Sequence, residues 1–355
     1  MSAAEPGRSP TLVHHLGDFE LEGGATLPDA HLAYRTWGKL SNAADNVVVA
    51  CHALTGSADV EAWWSGLLGP GRCLDPERDL VVCCNLLGSC YGSTGPASPR
   101  PGGGRWGADF PAVTVRDAVC AQRRLLDALG VRAVRLVLGG SLGGMQALEW
   151  ALDDPRVEAA AVIAAPARHS AWAIALSEAQ RAAIAADPRW DGGSYDPSEP
   201  PAAGLAAARM MAMCSYRSPR GLGERFGHRL GPGGEPEVVG WLHHHGGALV
   251  ARFDAASYVV LTRMMDDHDV GRGRGGVEAA LRSVRAPVLA VAIDSDGLYP
   301  PAEQLEIAEL VPLGELAWLR SPHGHDAFLI ETADLDRQLR SFRARVASLK
   351  RRLAG

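Results

Sequence analysis

Three clusters of residues in this chain have the types and spacing for nucleophilic chemistry. The first is Gly139-Gly140-Ser141-Leu142-Gly143, a G-x-S-x-G segment. Such a segment isolates a serine hydroxyl on a strained turn when a strand leads in and a helix leads out. Leu136 to Leu138 form a short apolar run that reads as the strand, and Gly144 to Leu152 read as the helix. Glycines at 139 and 143 leave room for the chain to double back. The pattern predicts an exposed Ser141 hydroxyl at the C-terminal edge of a sheet, with the Leu142 N–H aimed where an oxyanion would form. A glycine-rich turn with an incidental serine is the alternative, and the flanking elements weigh against it.

The second cluster is Asp294-Ser295-Asp296-Gly297, just past an apolar run from Val288 to Ile293. The third is Ser321-Pro322-His323-Gly324-His325-Asp326, just past Leu316 to Leu319. Each lies beyond the C-terminal end of an expected strand, where the sites of open α/β sheets gather. A serine nucleophile needs a histidine to take its proton and a carboxylate to orient that histidine. The acid is Asp294 or Asp296 and the base His323 or His325; the pattern alone does not choose. Either cluster by itself reads as a solvated turn. Both together, in the order serine, acid, histidine, read as a catalytic triad.

The elements that must position these clusters alternate along the chain. His31 to Trp37 reads as an early strand. Asn46 to Cys51 and Leu80 to Cys84 are continuous β-rich runs, as buried parallel strands are. Thr114-Val115-Arg116-Asp117 has the form of a capping box, opening a helix to about Leu129. Val157 to Ala164 reads as the strand after the elbow helix. This alternation implies an α/β fold, a mostly parallel sheet with helices on both faces. About 120 residues separate the strand ending near Ala164 from the one at Val288, far more than a crossover needs. That stretch reads as helical, most clearly at Ser177 to Ala186 and Gly204 to Ser215. It implies an inserted helical lid over residues 167–284, a core of residues 13–166 and 285–355, and a loose tail at 1–12. A second domain with its own function is the alternative to a lid.

Composition narrows the function classes. The 355 residues are 47% hydrophobic and 21% charged, enough for a sizeable globular core. A net charge of −6 gives no basic footprint for nucleic acid, and no polybasic run marks a membrane surface. No apolar run approaches the ~20 residues of a membrane span, and Met1 to Thr11 lacks the apolar centre of a signal peptide. Seven scattered cysteines without ligand spacing imply free buried thiols in a reducing cytoplasm. His243-His244-His245 has no acidic or thiol partner at ligand spacing, so no metal is expected. Asp266-Asp267-His268-Asp269 reads as a helix end held by caps and ion pairs. Gly271-Arg272-Gly273-Arg274-Gly275-Gly276 follows no strand and lacks the Lys-Ser/Thr ending of a phosphate loop. It reads as a hinge between lid and core, its arginines in ion pairs.

Taken together, five segments resemble the homoserine O-acyltransferases of methionine biosynthesis. They are His52-Ala53-Leu54-Thr55-Gly56, Gly92-Ser93-Thr94-Gly95-Pro96, Gly139 to Gln146, His268 to Gly276, and Gly324-His325-Asp326-Ala327-Phe328. The likeness is to the α/β-hydrolase type, the homoserine O-acetyltransferases, and runs from about Leu21 to Glu331. It implies an α/β-hydrolase fold with an inserted helical lid, Ser141 as nucleophile, Asp296 as acid and His325 as base. It implies the Leu54 backbone as a second oxyanion donor beside Leu142, and a substrate clamp of Arg209, Tyr216 and Asp326. It also implies acyl-CoA as co-substrate with acetyl as the expected group, L-homoserine as acceptor, and no cofactor. A cytoplasmic homodimer paired through the lid completes the expectation. Two positions depart from the family pattern: Leu142 stands where Met is usual, and Gly297 where Trp is frequent. The alternatives are a succinyl donor, a serine acceptor, a plain esterase on the same triad, and a non-catalytic scaffold. Arg209 and Asp326 match the two charges of an amino acid, which a neutral ester does not need. An intact triad argues against a bare scaffold.

Overall fold

The computed structural model describes residues 9–354. Its strands are β1 (Leu12–Glu20), β2 (Thr26–Trp37), β3 (Val47–Cys51), β4 (Leu80–Cys84), β5 (Val134–Gly140), β6 (Ala160–Ile163), β7 (Val288–Ile293) and β8 (Gly314–Leu319). They make one sheet in the order β1-β2-β4-β3-β5-β6-β7-β8. Neighbours from β4 through β8 are parallel, while β2 joins β4 and β1 joins β2 antiparallel. The helices α1 (Val60–Trp64), α2 (Val115–Ala128) and α3 (Leu142–Asp153) precede β6. Between β6 and β7 come α4 (Ala171–Ala185), α5 (Ala202–Tyr216), α6 (Pro219–Phe226), α7 (Glu237–Val250), α8 (Ala255–Asp266) and α9 (Val277–Ser283). Then follow α10 (Pro301–Leu310), α11 (Ala327–Ile330) and α12 (Thr332–Ala354).

The strand sequences explain the layering. Every residue of Val47–Cys51 and of Leu80–Cys84 is buried, because helices cover both faces of the parallel region. Alternate residues serve opposite faces. Val47, Val49 and Cys51 join the core under α2 and α3, while Val48 and Ala50 join the core under α1 and α12. On α12, Leu335, Leu339, Phe342 and Val346 form one buried stripe at helical spacing. Each such side chain contributes roughly 1.5–3 kcal/mol by leaving water, so this stripe fixes the helix. The Thr114 box forms as read: its side chain accepts from Asp117 N–H, and Asp117 returns the bond to Thr114 N–H.

Two boundaries differ from the sequence reading. The tail was expected to reach residue 12, yet Leu12 pairs with Tyr34 in β1, and Ser9 Oγ bonds Thr36 O at 2.7 Å. Leu12–Glu20 has a largely exposed burial pattern and breaks register twice, so its hydrophobic alternation is too weak to read. Residues 1–8 of that tail lie outside the described residues. The helical insertion is tied shut at a neck. The backbones of Arg168 and Asp269 face each other in a single antiparallel β-bridge, with His169 N to His268 O at 2.9 Å and Val270 N to Ala167 O at 3.0 Å. It rejoins the core near 270 rather than 284, and Ala280 and Leu281 of α9 pack in the main core. The glycine–arginine segment beyond the neck is cinched by Arg274 to buried Glu149 at 2.7 Å and by Arg272 to Asp267 at 2.6 Å. The expected buried thiols also need correcting: Cys51, Cys73, Cys83 and Cys84 are buried, but Cys120 and Cys214 are exposed. Among the described residues, no helix is long and apolar enough to cross a membrane.

Candidate active site

β3 and β5 are adjacent, but the chain leaves β3 toward β4 on one side and resumes at β5 on the other. This is a topological switch point, where the loops at the C-terminal ends of strands open a crevice. The loop after β3 carries His52 to Gly56, and the turn after β5 carries Ser141.

Ser141 has φ 59° and ψ −126°, a conformation a non-glycine residue holds only when its surroundings enforce it. The enforcement is visible in the neighbours. A Cβ on Gly143 would lie 2.1 Å from Cys51 O, one on Gly139 2.3 Å from the Gly143 backbone, and one on Gly140 2.5 Å from the Phe328 ring. Ser141 N–H donates to Ile163 O at 2.9 Å, tying the turn to β6. The sequence predicted an exposed hydroxyl; the residue Ser141 as a whole is buried, with 5% of its surface exposed. Leu142 opens α3, so its N–H is one of the helix's unsatisfied donors and lies at the positive end of the helix dipole.

The structure joins Asp296 to His325 and leaves the other pair apart. Asp296 Oδ2 lies 2.7 Å from His325 Nδ1, both side chains buried. The other oxygen, Asp296 Oδ1, accepts the N–H groups of Leu298 at 2.8 Å and Tyr299 at 3.0 Å. Asp294 is used elsewhere, accepting Ser321 N–H at 3.0 Å, and His323 is 39% exposed and 4.0 Å from Glu331. His325 Nε2 has no hydrogen-bond partner among the described residues. The imidazole is boxed by Tyr216, Tyr299 and Phe328, with ring centroids 5.7, 5.2 and 5.5 Å away. Burial pulls the His325 pKa down, but the charge and hydrogen bond of Asp296, with help from Asp326, outweigh it and raise the value above 6.5.

Leu54 sits in the turn Ala53–Gly56, closed by Gly56 N to Ala53 O at 2.9 Å. The Leu54 N–H takes no part in that bond. Beneath the turn lies buried His52, whose pKa burial lowers to about 4 although its bond to Ala53 O resists. It is neutral, accepts Leu86 N–H on Nε2 at 3.3 Å, and donates from Nδ1 to Ala53 O at 2.9 Å.

Arg209 and Tyr216 lie on α5, with the guanidinium 5.4 Å from the Tyr216 ring centroid. Asp326 neighbours His325 in the turn Gly324–Asp326. Burial raises its pKa, against the lowering charges of Arg217, His325 and Arg209. Arg217, not singled out in the sequence, is its direct partner, Nε to Oδ2 3.1 Å. A second group lies behind the acid loop, and of its members only Asp266 was read in the sequence, as part of an ion-paired helix end. His169 Nε2 meets Tyr299 Oη at 3.0 Å, His169 Nδ1 lies 3.2 Å from Asp266, and Asp266 lies 2.6 Å from Arg181. No local sequence signal marks His169, Tyr299 or Arg181 as members of this group, because they come from distant segments. At Gly297 a Cβ would meet nothing within 4 Å, and the carbonyl accepts the indole N–H of Trp172 at 2.8 Å.

Cavity size alone points away from this chemistry. A concavity of about 590 Å³ lies at the opposite sheet edge beside α12, but its charges pair with one another, as Arg343 does with Asp79 at 2.8 Å. At the acid loop a cavity of about 10 Å³ lined by Leu54, Tyr216, Leu298 and Tyr299 has room for roughly one water.

A serine on an elbow at the head of α3 and a bonded His–Asp pair on later loops define the α/β-hydrolase class. The alpha/beta hydrolase fold family matches residues 46–332. Homoserine O-acetyltransferase of Trichormus variabilis is 54% identical over 94% of each chain. That of Chlorobium chlorochromatii is 51% identical over 96% of this chain and 98% of its own. Among solved structures, esterase E22 superposes with a TM-score of 0.88 at 26% identity, covering 94% of this chain and 99% of its own. The chain belongs to the homoserine O-acetyltransferase family of α/β hydrolases.

Proposed function

We propose that this protein transfers an acetyl group from acetyl-CoA to the hydroxyl of L-homoserine, a step of methionine biosynthesis, through an acyl-enzyme on Ser141. The single observation that carries the chemistry is the buried 2.7 Å pair of His325 and Asp296. The choice of substrates follows the names of the relatives at 54% and 51% identity.

His325 Nε2 takes the Ser141 proton as Oγ attacks the thioester carbonyl, while Asp296 holds the imidazole tautomer. The N–H groups of Leu54 and Leu142 receive the tetrahedral oxyanion. The carbon–sulfur bond breaks, CoA leaves with the proton from His325, and an acetyl ester remains on Ser141. The homoserine hydroxyl then enters, His325 takes its proton, and attack on the ester releases O-acetylhomoserine and restores the serine. The scheme needs no metal or cofactor. Water competes at roughly 55 M against an acceptor near ~1 mM, so selectivity must be on the order of 10⁵, about 7 kcal/mol of barrier. A lid formed by the helical insertion excludes water, and a clamp supplies the rest. Arg209 takes the acceptor carboxylate, Asp326 the ammonium, and Tyr216 closes the pocket between them. We further infer a cytoplasmic homodimer paired through the lid; exposed Met211 and Cys214 on α5 leave an outer strip for such contact.

A plain esterase would use the same triad, and esterase E22 shares the fold. Its 26% identity stands against 54% for the acetyltransferase relative, and a neutral ester has no use for the clamp. The test is CoA-thiol release from acetyl-CoA or succinyl-CoA, each against homoserine and serine. Rapid release with acetyl-CoA and homoserine alone is the expected result. Equal release without acceptor would assign a hydrolase.

A further inference from the structure

The turn after α7 presents an arginine that no motif singles out. Arg252 Nη1 donates to Thr55 O at 2.7 Å and to Tyr91 Oη at 2.5 Å, and Nη2 reaches Thr55 Oγ1 at 3.3 Å. These acceptors are a carbonyl and two hydroxyls; none is a carboxylate. Thr55 and Leu54 are the two central residues of the Ala53–Gly56 turn. The arginine therefore grips the turn one residue from the N–H assigned to the oxyanion.

From the core side that turn is already fixed. Gln146 Nε2 donates to His52 O at 3.2 Å, and Asn85 Oδ1 accepts Ala58 N–H at 2.6 Å. A Cβ on Gly56 would come 2.9 Å from the His52 Cβ, so the turn has little freedom to sink. On the side of the helical insertion, Arg252 holds it. The residue itself is firmly presented. Its N–H donates to Leu249 O at 3.0 Å, and the next residue, Phe253, is buried edge-on to Tyr91 at 5.7 Å. Asp254 then caps α8, accepting Ser257 N–H at 2.8 Å, and pairs with Arg105 at 3.5 Å.

We propose that Arg252 is a positioning residue that fixes the oxyanion turn from the insertion side, so that acylation is fully competent only while the insertion is seated on the core. The inference rests on the reading of Leu54 as an oxyanion donor. An oxyanion donor works by standing in place before the charge develops, and losing one costs about 10²–10³ in rate. Losing its brace misplaces the donor without removing it, so the expected penalty is smaller. A charged fork on the carbonyl and hydroxyl of one residue, Thr55, restricts orientation more than a single bond does.

The test compares three acetyl donors in single-turnover acylation: acetyl-CoA, S-acetyl-N-acetylcysteamine, which lacks the phosphates, and p-nitrophenyl acetate. R252A should acylate about tenfold more slowly with all three, with KM for acetyl-CoA unchanged, and R252K should recover part of the loss. Tyr91→Phe keeps the ring contact with Phe253, removes one acceptor of the brace, and should slow all three by a few fold. It serves the same purpose if R252A does not fold. A loss confined to acetyl-CoA and expressed as a raised KM would make Arg252 a phosphate contact and overturn the proposal. Unchanged acylation with all three donors overturns it equally. Absence of any acylation burst in the wild-type protein would instead sink the reading of Ser141 itself.

Discussion

The chemistry of single residues depends on which carboxylate faces which imidazole. The residue types and their order were legible in the sequence. The choice within Asp294/Asp296 and within His323/His325 was not legible from spacing, because it depends on loop dihedrals. Asp296 is turned toward His325 by the Leu298 and Tyr299 N–H groups on its other oxygen. Asp296→Asn should lower turnover by about 10⁴ by favouring the wrong imidazole tautomer, whereas Asp294→Asn should be mild. Steady-state rates of the two variants decide; a reversed ranking contradicts the assignment. The pH profile gives a second check. The base must be neutral, so kcat/KM should rise with pH through a midpoint above 6.5, where Asp296 holds His325. Asp296→Asn removes the attraction, leaves burial, and should move any residual limb downward. Glu303, pushed up to about 7 chiefly by burial, titrates nearby, so Glu303→Gln should leave that limb in place. A limb that vanishes in Glu303→Gln would belong to Glu303 instead.

At the scale of elements, the clearest signals were local. The run Val288–Ile293 and the Thr114 capping box emerged as read, since a buried strand and a helix start are written in neighbouring residues. β1 was missed because an exposed edge strand carries no apolar alternation. The closeness of the elbow to its neighbours was also invisible, since Gly143 meets β3, almost a hundred positions away. Gly143→Ala drives a Cβ into the Cys51 carbonyl, a backbone atom that cannot swing aside. It should lose about 3 kcal/mol of stability. Gly297→Ala meets nothing within 4 Å and should change stability by less than about 0.5 kcal/mol. Urea midpoints of the two variants provide the comparison, and equal midpoints would contradict the packing argument.

Across the whole molecule, the switch point between β3 and β5 brings the Ala53–Gly56 turn and the elbow together, with Cys51 paired to Gly139. The neck at Arg168 and Asp269 returns the insertion over them. The sequence showed that an insertion exists; it did not show that Arg217 pairs with Asp326 or that Arg252 grips Thr55, because such pairings join segments far apart in the chain. Two half-reactions separate the clamp from the chemistry. Arg209→Ala should leave formation of the acyl-enzyme intact and slow its transfer to homoserine by ~10²–10³, about 3–4 kcal/mol. Rapid-quench measurement of both steps would show it; equal slowing of both would place Arg209 in CoA binding or lid packing.

The central claim is an acetyl group carried on Ser141 and handed to homoserine. Its most direct measurement is peptide mass mapping of the wild-type protein quenched after mixing with acetyl-CoA alone, then after a chase with homoserine. The expected result is one acetyl group on the peptide containing Ser141, absent from Ser141→Ala, and discharged by homoserine far faster than by buffer. Acetyl found on Cys90 or another cysteine, or a Ser141 ester that homoserine clears no faster than water does, would contradict it.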